Sequence, residues 1–349
     1  MIEDAMLLRK PDFLSFVKFA GFSTFSGLVT HYLMNPREKT IVNETNVVVA
    51  TGCDSGLGYS MVLHCHEKLR MSVVACVHQL NSTGALKLKK MFENSDRFRM
   101  IELEITEDES ISEVKKFVND LLETDKELEL TALVNNCGVM VFGEAEWQTN
   151  KIIDQQINVN LNGTIKMTTA MLPLIRKHKS RIINVTSHCG FRNLPTLSVY
   201  GATKAGLMSY TEGLRLEMQQ YGVDVVEFTP GSFIMNSNIT ANQLVYAAEM
   251  RDSFDEEQKK FYGEYFDHLN MYLSTISGEK DPQILPNPLI MSTFEEALLE
   301  TPPKRRYICE PWRYKWYHLL FRISPAPIAD WLVCKFMSMP RFNSKAIKN

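Results

Sequence analysis

An α/β fold built on a doubly wound parallel sheet is what this chain predicts, and three observations carry that expectation. Short apolar runs rich in β-branched residues recur near 46–50, 73–77, 99–103, 131–135, 181–186 and 223–228. Between them lie segments with helical spacing. Ile111, Val114, Val118, Leu121 and Leu122 separate the third and fourth runs, and Ile157, Leu161, Ile165, Thr168, Leu172 and Ile175 the fourth and fifth. A glycine-rich turn stands where the first run gives way to the first helix. Continuous apolar runs mark strands buried on both faces, and a 3.6-residue period marks helices packed on them. Their alternation requires right-handed crossovers within one sheet.

Composition allows such a core. The chain has 349 residues, 45% of them hydrophobic and 23% charged, which suits a single enlarged α/β unit and argues against disorder. A net charge of -3 gives no basis for binding nucleic acid, and the run Lys87 to Lys90 reads as a solvated helix face. Seven cysteines at irregular spacing form neither a metal set nor a disulfide framework. Cys53, Cys76 and Cys137 fall at core or ligand-facing positions, which suits reducing surroundings.

The first strand, Thr45 to Ala50, runs into Thr51-Gly52-Cys53-Asp54-Ser55-Gly56-Leu57-Gly58, and Tyr59 to Leu69 can continue as helix. Glycines there permit a tight turn, close approach of backbone to a pyrophosphate, and close packing of helix on strand. The helix start presents unpaired N–H groups to phosphate oxygens. The context of strand before and helix after makes this a dinucleotide site rather than a plain corner.

Tyr200 and Lys204 stand four residues apart and share one helix face, with Ser187 thirteen residues before the tyrosine. Alone the Tyr-x-x-x-Lys spacing carries little. Beside a dinucleotide site it reads as a general acid/base, the ammonium lowering the phenol's usual pKa near 10. The serine hydroxyl is then placed to hold an alcohol or carbonyl oxygen.

Taken in order, Thr51 to Gly58, Asn135-Asn136-Cys137-Gly138, Asn160, Ser187, Tyr200 with Lys204, and Pro230-Gly231 resemble the short-chain dehydrogenase/reductase family over roughly residues 43–310. The resemblance implies a Rossmann-type single domain with a helical substrate lid. It implies that Asn160, Ser187, Tyr200 and Lys204 are catalytic. A nicotinamide cofactor would be held by Thr51, Gly52, Ser55, Gly56, Leu57, Gly58, His78, Glu104, Asn135, Asn136, Gly138, Tyr200, Lys204, Pro230, Gly231 and Phe233. Gly52 to Gly58, Met171 to Arg176 and Pro230 to Phe233 look like the membrane-associated branch of retinol, hydroxysteroid and hydroxybutyrate dehydrogenases. That branch implies the endoplasmic reticulum membrane or its cytosolic face, with mitochondrion or cytoplasm as alternatives. The family also implies a homodimer or homotetramer through the Tyr200 helix and its predecessor.

Three positions depart from the family pattern. Cys137 replaces an alanine, Glu104 an aspartate expected to touch the adenine, and Met235 a threonine expected to bond the carboxamide, a role open to Asn236 or Ser237. At the end of the second strand, Val77 and His78 offer neither the acidic residue that marks NAD nor the arginine that marks NADP. Without the arginine the cofactor expected is NAD, with NADP as the alternative.

Two appendages flank the 43–305 domain. In the first, 1–42, Phe19 to Met34 has no full charge; it is short for a spanning helix, so anchor, interfacial helix and docked helix all stand. Glu3 and Asp4 argue against a mitochondrial leader. The second, 306–349, interleaves Trp312, Tyr314, Trp316, Tyr317, Phe321 and Trp331 with Arg313, Lys315 and Arg322, which suits a bilayer headgroup region or a tail packed over the substrate cleft. The lid spans about 232–300, with Ala247 to Ser274 expected as one helix carrying Met250, Phe254, Phe261, Tyr262, Tyr265, Phe266, Leu269 and Tyr272. Such a lid favours a secondary alcohol or ketone on a bulky hydrophobic substrate, a steroid or retinoid. A short hydroxy acid would need a cationic clamp, for which Arg192 and Arg251 are the candidates. The competing class is a non-catalytic cofactor or lipid binder on the same scaffold.

Overall fold

The computed structural model describes residues 37–231, 233–310, 312–337, 339–340 and 342. The chain divides after Lys39 into two units, and the larger, from Thr40 onward, holds the main sheet and its helices. The expected apolar segment 19–34 lies outside the described residues. Among the described residues, no helix is long and apolar enough to cross a membrane.

Seven parallel strands form the sheet: β1 (Asn46–Thr51), β2 (Ser72–Val77), β3 (Phe98–Glu102), β4 (Glu129–Asn135), β5 (Arg181–Val185), β6 (Val225–Thr229) and β7 (Arg306–Ile308). Their order is 3-2-1-4-5-6-7. The order reverses between β1 and β4, which pair in parallel, and a crevice opens at such a point outside the carboxyl ends of the strands. The six expected strands are all present. The seventh was not expected and begins just past the 305 boundary, so the sheet takes its last strand from the segment read as tail.

Pleating sends alternate side chains to opposite faces, and helices cover both. Val48, Ala50, Val73, Ala75 and Phe228 face one side, packed by α1 (Gly56–Leu63), α2 (Thr83–Met91) and a late helix, Pro288–Leu299. Val47, Val49, Val74 and Leu133 face the other, under α3 (Asp108–Thr124) and the helices that follow β4 and β5. On α3 the expected stripe is the buried one: Ile111, Val114, Val118 and Leu122.

The next helix departs from expectation in phase. A first stretch α4 (Asn150–Ile157) passes through a π-helical turn at Asn158–Gly163 into α5 (Thr164–His178). The wider turn rotates the downstream face. Thr168 and Ile175 are buried as expected, but Met167, Met171 and Leu174 join them while the expected Leu161, Ile165 and Leu172 are half-buried; Ile157, which ends α4 before the turn, is exposed.

The short α6 (His188–Phe191) and the long α7 (Ser198–Gln219) bracket the Ser187–Tyr200 segment. Beyond β6 the expected single lid helix is two, α8 (Gln243–Ser253) and α9 (Glu256–Ser274). Asp255 breaks them, because its carboxylate accepts the Gln258 N–H while the Gln258 side chain accepts the Asp255 N–H. The late helix Pro288–Leu299 is α10, and β7 is followed by α11 (Trp312–Ile323) and α12 (Ala326–Met337).

A third core lies under α8 and α9. Trp147, 1% exposed, meets the rings of Phe254, Tyr262, Tyr265 and Phe266 with centroids 5.2–6.3 Å apart. Met250 and Leu269 are buried in the same cluster. Gln243, also buried, accepts the Phe142 N–H at 2.9 Å and donates to its carbonyl at 2.8 Å, fastening α8 to the loop after β4. Trp147→Ala should therefore cost about 3–5 kcal/mol of unfolding free energy, read from a urea titration. A loss below about 1 kcal/mol would remove the aromatic cluster from the stability account.

Candidate active site

At the crevice between β1 and β4 the backbone turns are joined closely. The Thr51 hydroxyl accepts the N–H groups of Asn136 (3.0 Å) and Cys137 (3.1 Å), and the Asn136 amide donates to the Thr51 and Gly52 carbonyls. Gly52 and Gly56 have φ of +69° and +55°, which few residues but glycine adopt. A Cβ on Gly58 would lie 2.1 Å from the Gly52 carbonyl oxygen, so the helix start reaches its place only without a side chain. Ser55 stands at the N-cap of α1 with no side-chain cap bond, leaving the first-turn N–H groups for a ligand.

This loop lines one end of a cavity of about 880 Å³. Of the expected cofactor residues, Gly52, Ser55, Leu57, His78, Glu104, Asn136, Gly138, Tyr200, Lys204, Pro230, Gly231 and Phe233 line it. Thr51, Gly56, Gly58 and Asn135 stand behind its wall. Asn135 is turned away, its amide donating to Thr168 and to Asn184 across the sheet. The glycine cradle, open N-terminus and flanking hydroxyls fit a dinucleotide.

The nucleotide end is acidic. Asp54, which the motif reading passed over, lines the cavity; its carboxylate accepts the His78 N–H at 2.7 Å and the Ser82 hydroxyl at 2.7 Å. His78 Nε2 lies 3.1 Å from Glu104. Burial alone would raise the Glu104 carboxyl, but the Thr106 hydroxyl and amide, together with His78, hold it below its ordinary value. The expected Glu104 contact to adenine thus starts from a carboxylate already folded onto Thr106 and His78.

At the other end, β5 and α7 gather the proton-handling groups. Ser187 caps α6, its Oγ accepting the Cys189 N–H at 3.2 Å, and its hydroxyl favours the charged form of the neighbouring Tyr200. Tyr200 and Lys204 are buried on α7, with the Lys204 Nζ 5.9 Å from the Tyr200 ring centre. That Nζ donates to the Val185 carbonyl at 3.1 Å. Burial pulls the Lys204 ammonium down to about 8.

Tyr200 contradicts the expectation of a lowered phenol. Burial, then the nearby Cys189, push it well above its ordinary value, and only the Ser187 hydroxyl opposes them. Desolvation of the phenolate outweighs a cation whose hydrogen bond goes to Val185.

Asn160 belongs to the π-helical turn and is fully buried. Its Oδ1 accepts the Val139 N–H at 2.7 Å, and its amide donates to the Val139 carbonyl (2.8 Å) and the Thr203 hydroxyl (3.1 Å). It thereby ties the loop after β4 to the residue preceding Lys204. A Cβ on Gly138 would sit 3.3 Å from Asn160 Oδ1 and 3.5 Å from Lys204 Nζ.

Met235 points outward at 57% exposed and does not line the cavity, whereas buried Ser237 does, against Gly56. Cys137 also lines the cavity, its thiol pushed up to about 12 by burial and so inert. The expected lid residues are placed differently. None of the eight lines the cavity; Met250, Phe254, Phe266 and Leu269 pack in the Trp147 cluster instead. The apolar wall comes from Val139, Met140, Phe142, Leu194, Leu197, Ile234, Ile239 and Tyr246, with Phe321 from α11. Among the described residues, the tail reaches the cleft through the Phe321 ring.

Proteins of similar sequence fall in one family. The short chain dehydrogenase family matches residues 46–244. D-beta-hydroxybutyrate dehydrogenase, mitochondrial, of Rattus norvegicus is 33% identical over 276 residues, 77% of this chain and 78% of that protein. Estradiol 17-beta-dehydrogenase 2 of Mus musculus is 30% identical over 309 residues, 87% of this chain and 78% of its own. Retinol dehydrogenase 7 of Rattus norvegicus is 30% identical over 302 residues, 84% and 90% of the two chains. These are the activities of the branch expected from Gly52 to Gly58. With a dinucleotide cradle at one end of the cavity and a buried phenol, ammonium and hydroxyl at the other, the chain belongs to the short-chain dehydrogenase family and is an NAD(P)-dependent oxidoreductase of alcohols and ketones.

Proposed function

We propose that this enzyme interconverts a secondary alcohol and a ketone on a bulky neutral lipid, a steroid or retinoid, using NAD. The observation that carries this reading is the set of apolar side chains, Leu194, Leu197, Ile234, Ile239 and Phe321 among them, that line the same cavity as Tyr200. Relatives named for estradiol and retinol support the same class.

The nicotinamide ring, when bound, supplies or accepts the hydride. This chain's residues do the rest. Ser187 Oγ holds the substrate oxygen, and Tyr200 gives its proton to that oxygen in reduction or takes one in oxidation. The neutral phenol favoured by burial is the form needed to donate. Lys204 stabilises the phenolate that develops, and its charge is worth most in a site shut off from water. Asn160 keeps Lys204 in register through Thr203. Phe233, Pro230 and Gly231, which line the cavity, would hold the nicotinamide ring.

The preference for NAD rests on charge. Among the described residues no lysine or arginine lines the nucleotide end, and Asp54 and Glu104 both do. A ribose hydroxyl can donate to such carboxylates, whereas a 2′-phosphate would be repelled. A second reading, a short hydroxy acid, draws on the hydroxybutyrate relative and on Arg192, which lines the cavity. The other candidate, Arg251, pairs with Asp267 outside it. Association with a membrane is supported by exposed Trp316, Ile323, Ile328 and Trp331 beside Lys315 and Lys335 on α11 and α12, which suit a headgroup layer. Such a surface suits the endoplasmic reticulum membrane or its cytosolic face. The exposed Leu216 on α7 offers an apolar contact for the expected dimer or tetramer.

Tyr200→Phe should keep cofactor binding, followed by nicotinamide fluorescence, and lose roughly 10²–10⁴-fold in turnover; wild-type turnover would defeat the assignment. In ketone reduction, kcat/KM should be level at neutral pH and fall as pH rises through about 8, where Lys204 loses its proton. A profile level well beyond that value would separate Lys204 from the proton transfer. Asp54→Asn keeps an acceptor for Ser82 but drops the charge, and should narrow the NAD-over-NADP ratio of kcat/KM about tenfold. An unchanged ratio would remove Asp54 from cofactor choice.

A further inference from the structure

Arg192 is the only arginine among the described residues that line the large cavity. It follows α6 at its C-cap, five residues after Ser187. Its guanidinium is committed elsewhere, since Nη2 donates to Asp330 Oδ1 on α12 at 2.7 Å. The two residues also line a second cavity of about 350 Å³ with Asn193, Pro195, Val333 and Cys334. Ala329 and Val333, flanking Asp330 on α12, are buried, so the carboxylate is delivered by a helix seated against the body. From α11, Phe321 enters the large cavity. The neighbouring Phe191 is itself held, with the Arg306 guanidinium 4.5 Å above its ring.

An arginine at the wall of a substrate cavity is by default a carboxylate receptor, because its planar fork matches two oxygens. Asp330 occupies that fork. The pair is part-exposed, with side chains 37% and 70% accessible, so it is weakly held and its removal costs the fold little. Its effect falls instead on what enters the cavity. With the guanidinium partnered by Asp330 and Phe321 on the wall of the same cavity, an uncharged chain or ring is favoured there over an acid.

We propose that Asp330 is a specificity-determining residue that masks Arg192, so that the C-terminal helices select neutral over carboxylate-bearing substrates. This deepens the neutral-lipid reading and rests on it. Removing the mask should expose a carboxylate site without touching Ser187, Tyr200 or Lys204.

The test is a binding measurement, independent of turnover. Dissociation constants for decanoate and decanol would be taken by equilibrium dialysis on full-length protein with saturating NAD, for wild type, D330N, R192Q and the double variant R192Q/D330N. We expect D330N to bind decanoate about tenfold more tightly and decanol unchanged, and R192Q/D330N to lose that gain. A decanoate-to-decanol ratio unchanged in D330N would overturn the proposal. So would a gain that persists in R192Q/D330N, since it would reflect loss of negative charge alone. Should wild type bind neither compound while D330N binds decanoate, the mask stands and the lipid-substrate reading falls.

Discussion

The site depends on one junction, where the ends of β1 and β4 are sewn together by Thr51 and Asn136. Four hydrogen bonds cross it, two into the Thr51 hydroxyl and two out of the Asn136 amide. They hold the glycine turn against the loop that carries Cys137 and Gly138, and Gly138 in turn lies against Asn160 and Lys204. The cradle for phosphates and the buried ammonium are therefore opposite ends of one short rigid path. The sheet's reversal of order opens the crevice; this junction sets its floor.

Burial is the second determinant, and it acts on both members of the proton-handling pair. It lowers the ammonium of Lys204 and raises the phenol of Tyr200, disfavouring charge on each. The pair is thus held close to the neutral-phenol form, and charge appears on Tyr200 only as the reaction creates it. Asn160 contributes by position. The π-helical turn that rotates α5 also carries Asn160 to Val139 and Thr203, so a local irregularity in one helix serves the neighbouring one.

Substrate recognition is built from pieces distant in sequence. Loop residues after β4, the segment beyond Ser187, the turn after β6 and α11 each supply part of the wall. The aromatic residues of α8 and α9 support that wall from behind by packing around Trp147. Asp54 and Glu104 stand beside the nucleotide site, the Lys204 ammonium belongs to the proton-handling group, Arg192 is paired with Asp330, and Glu279 also lines the wall. Between these groups the cavity is largely apolar.

The strands β1 to β6, the glycine turn, and the Ser187, Tyr200 and Lys204 set were legible because each is written in local spacing: runs buried on both faces, a turn only glycine permits, and two residues one helical turn apart. The strand β7 was not, since three residues, Arg306 to Ile308, carry no period of their own. It is held by parallel pairing with β6, Glu227 opposite Arg306 and Phe228 opposite Tyr307, with the Arg306 side chain donating to buried Glu227 at 2.8 Å, all between residues 79 apart in sequence. The same reason hid the break at Asp255, the rotated face of α5, the role of Asp54 and the inward turn of Phe321. Sequence determined which residues are apolar and which can move a proton. Only tertiary packing decided which apolar residues face the substrate, and how far burial outweighs a neighbouring charge, because both depend on what surrounds each group in space.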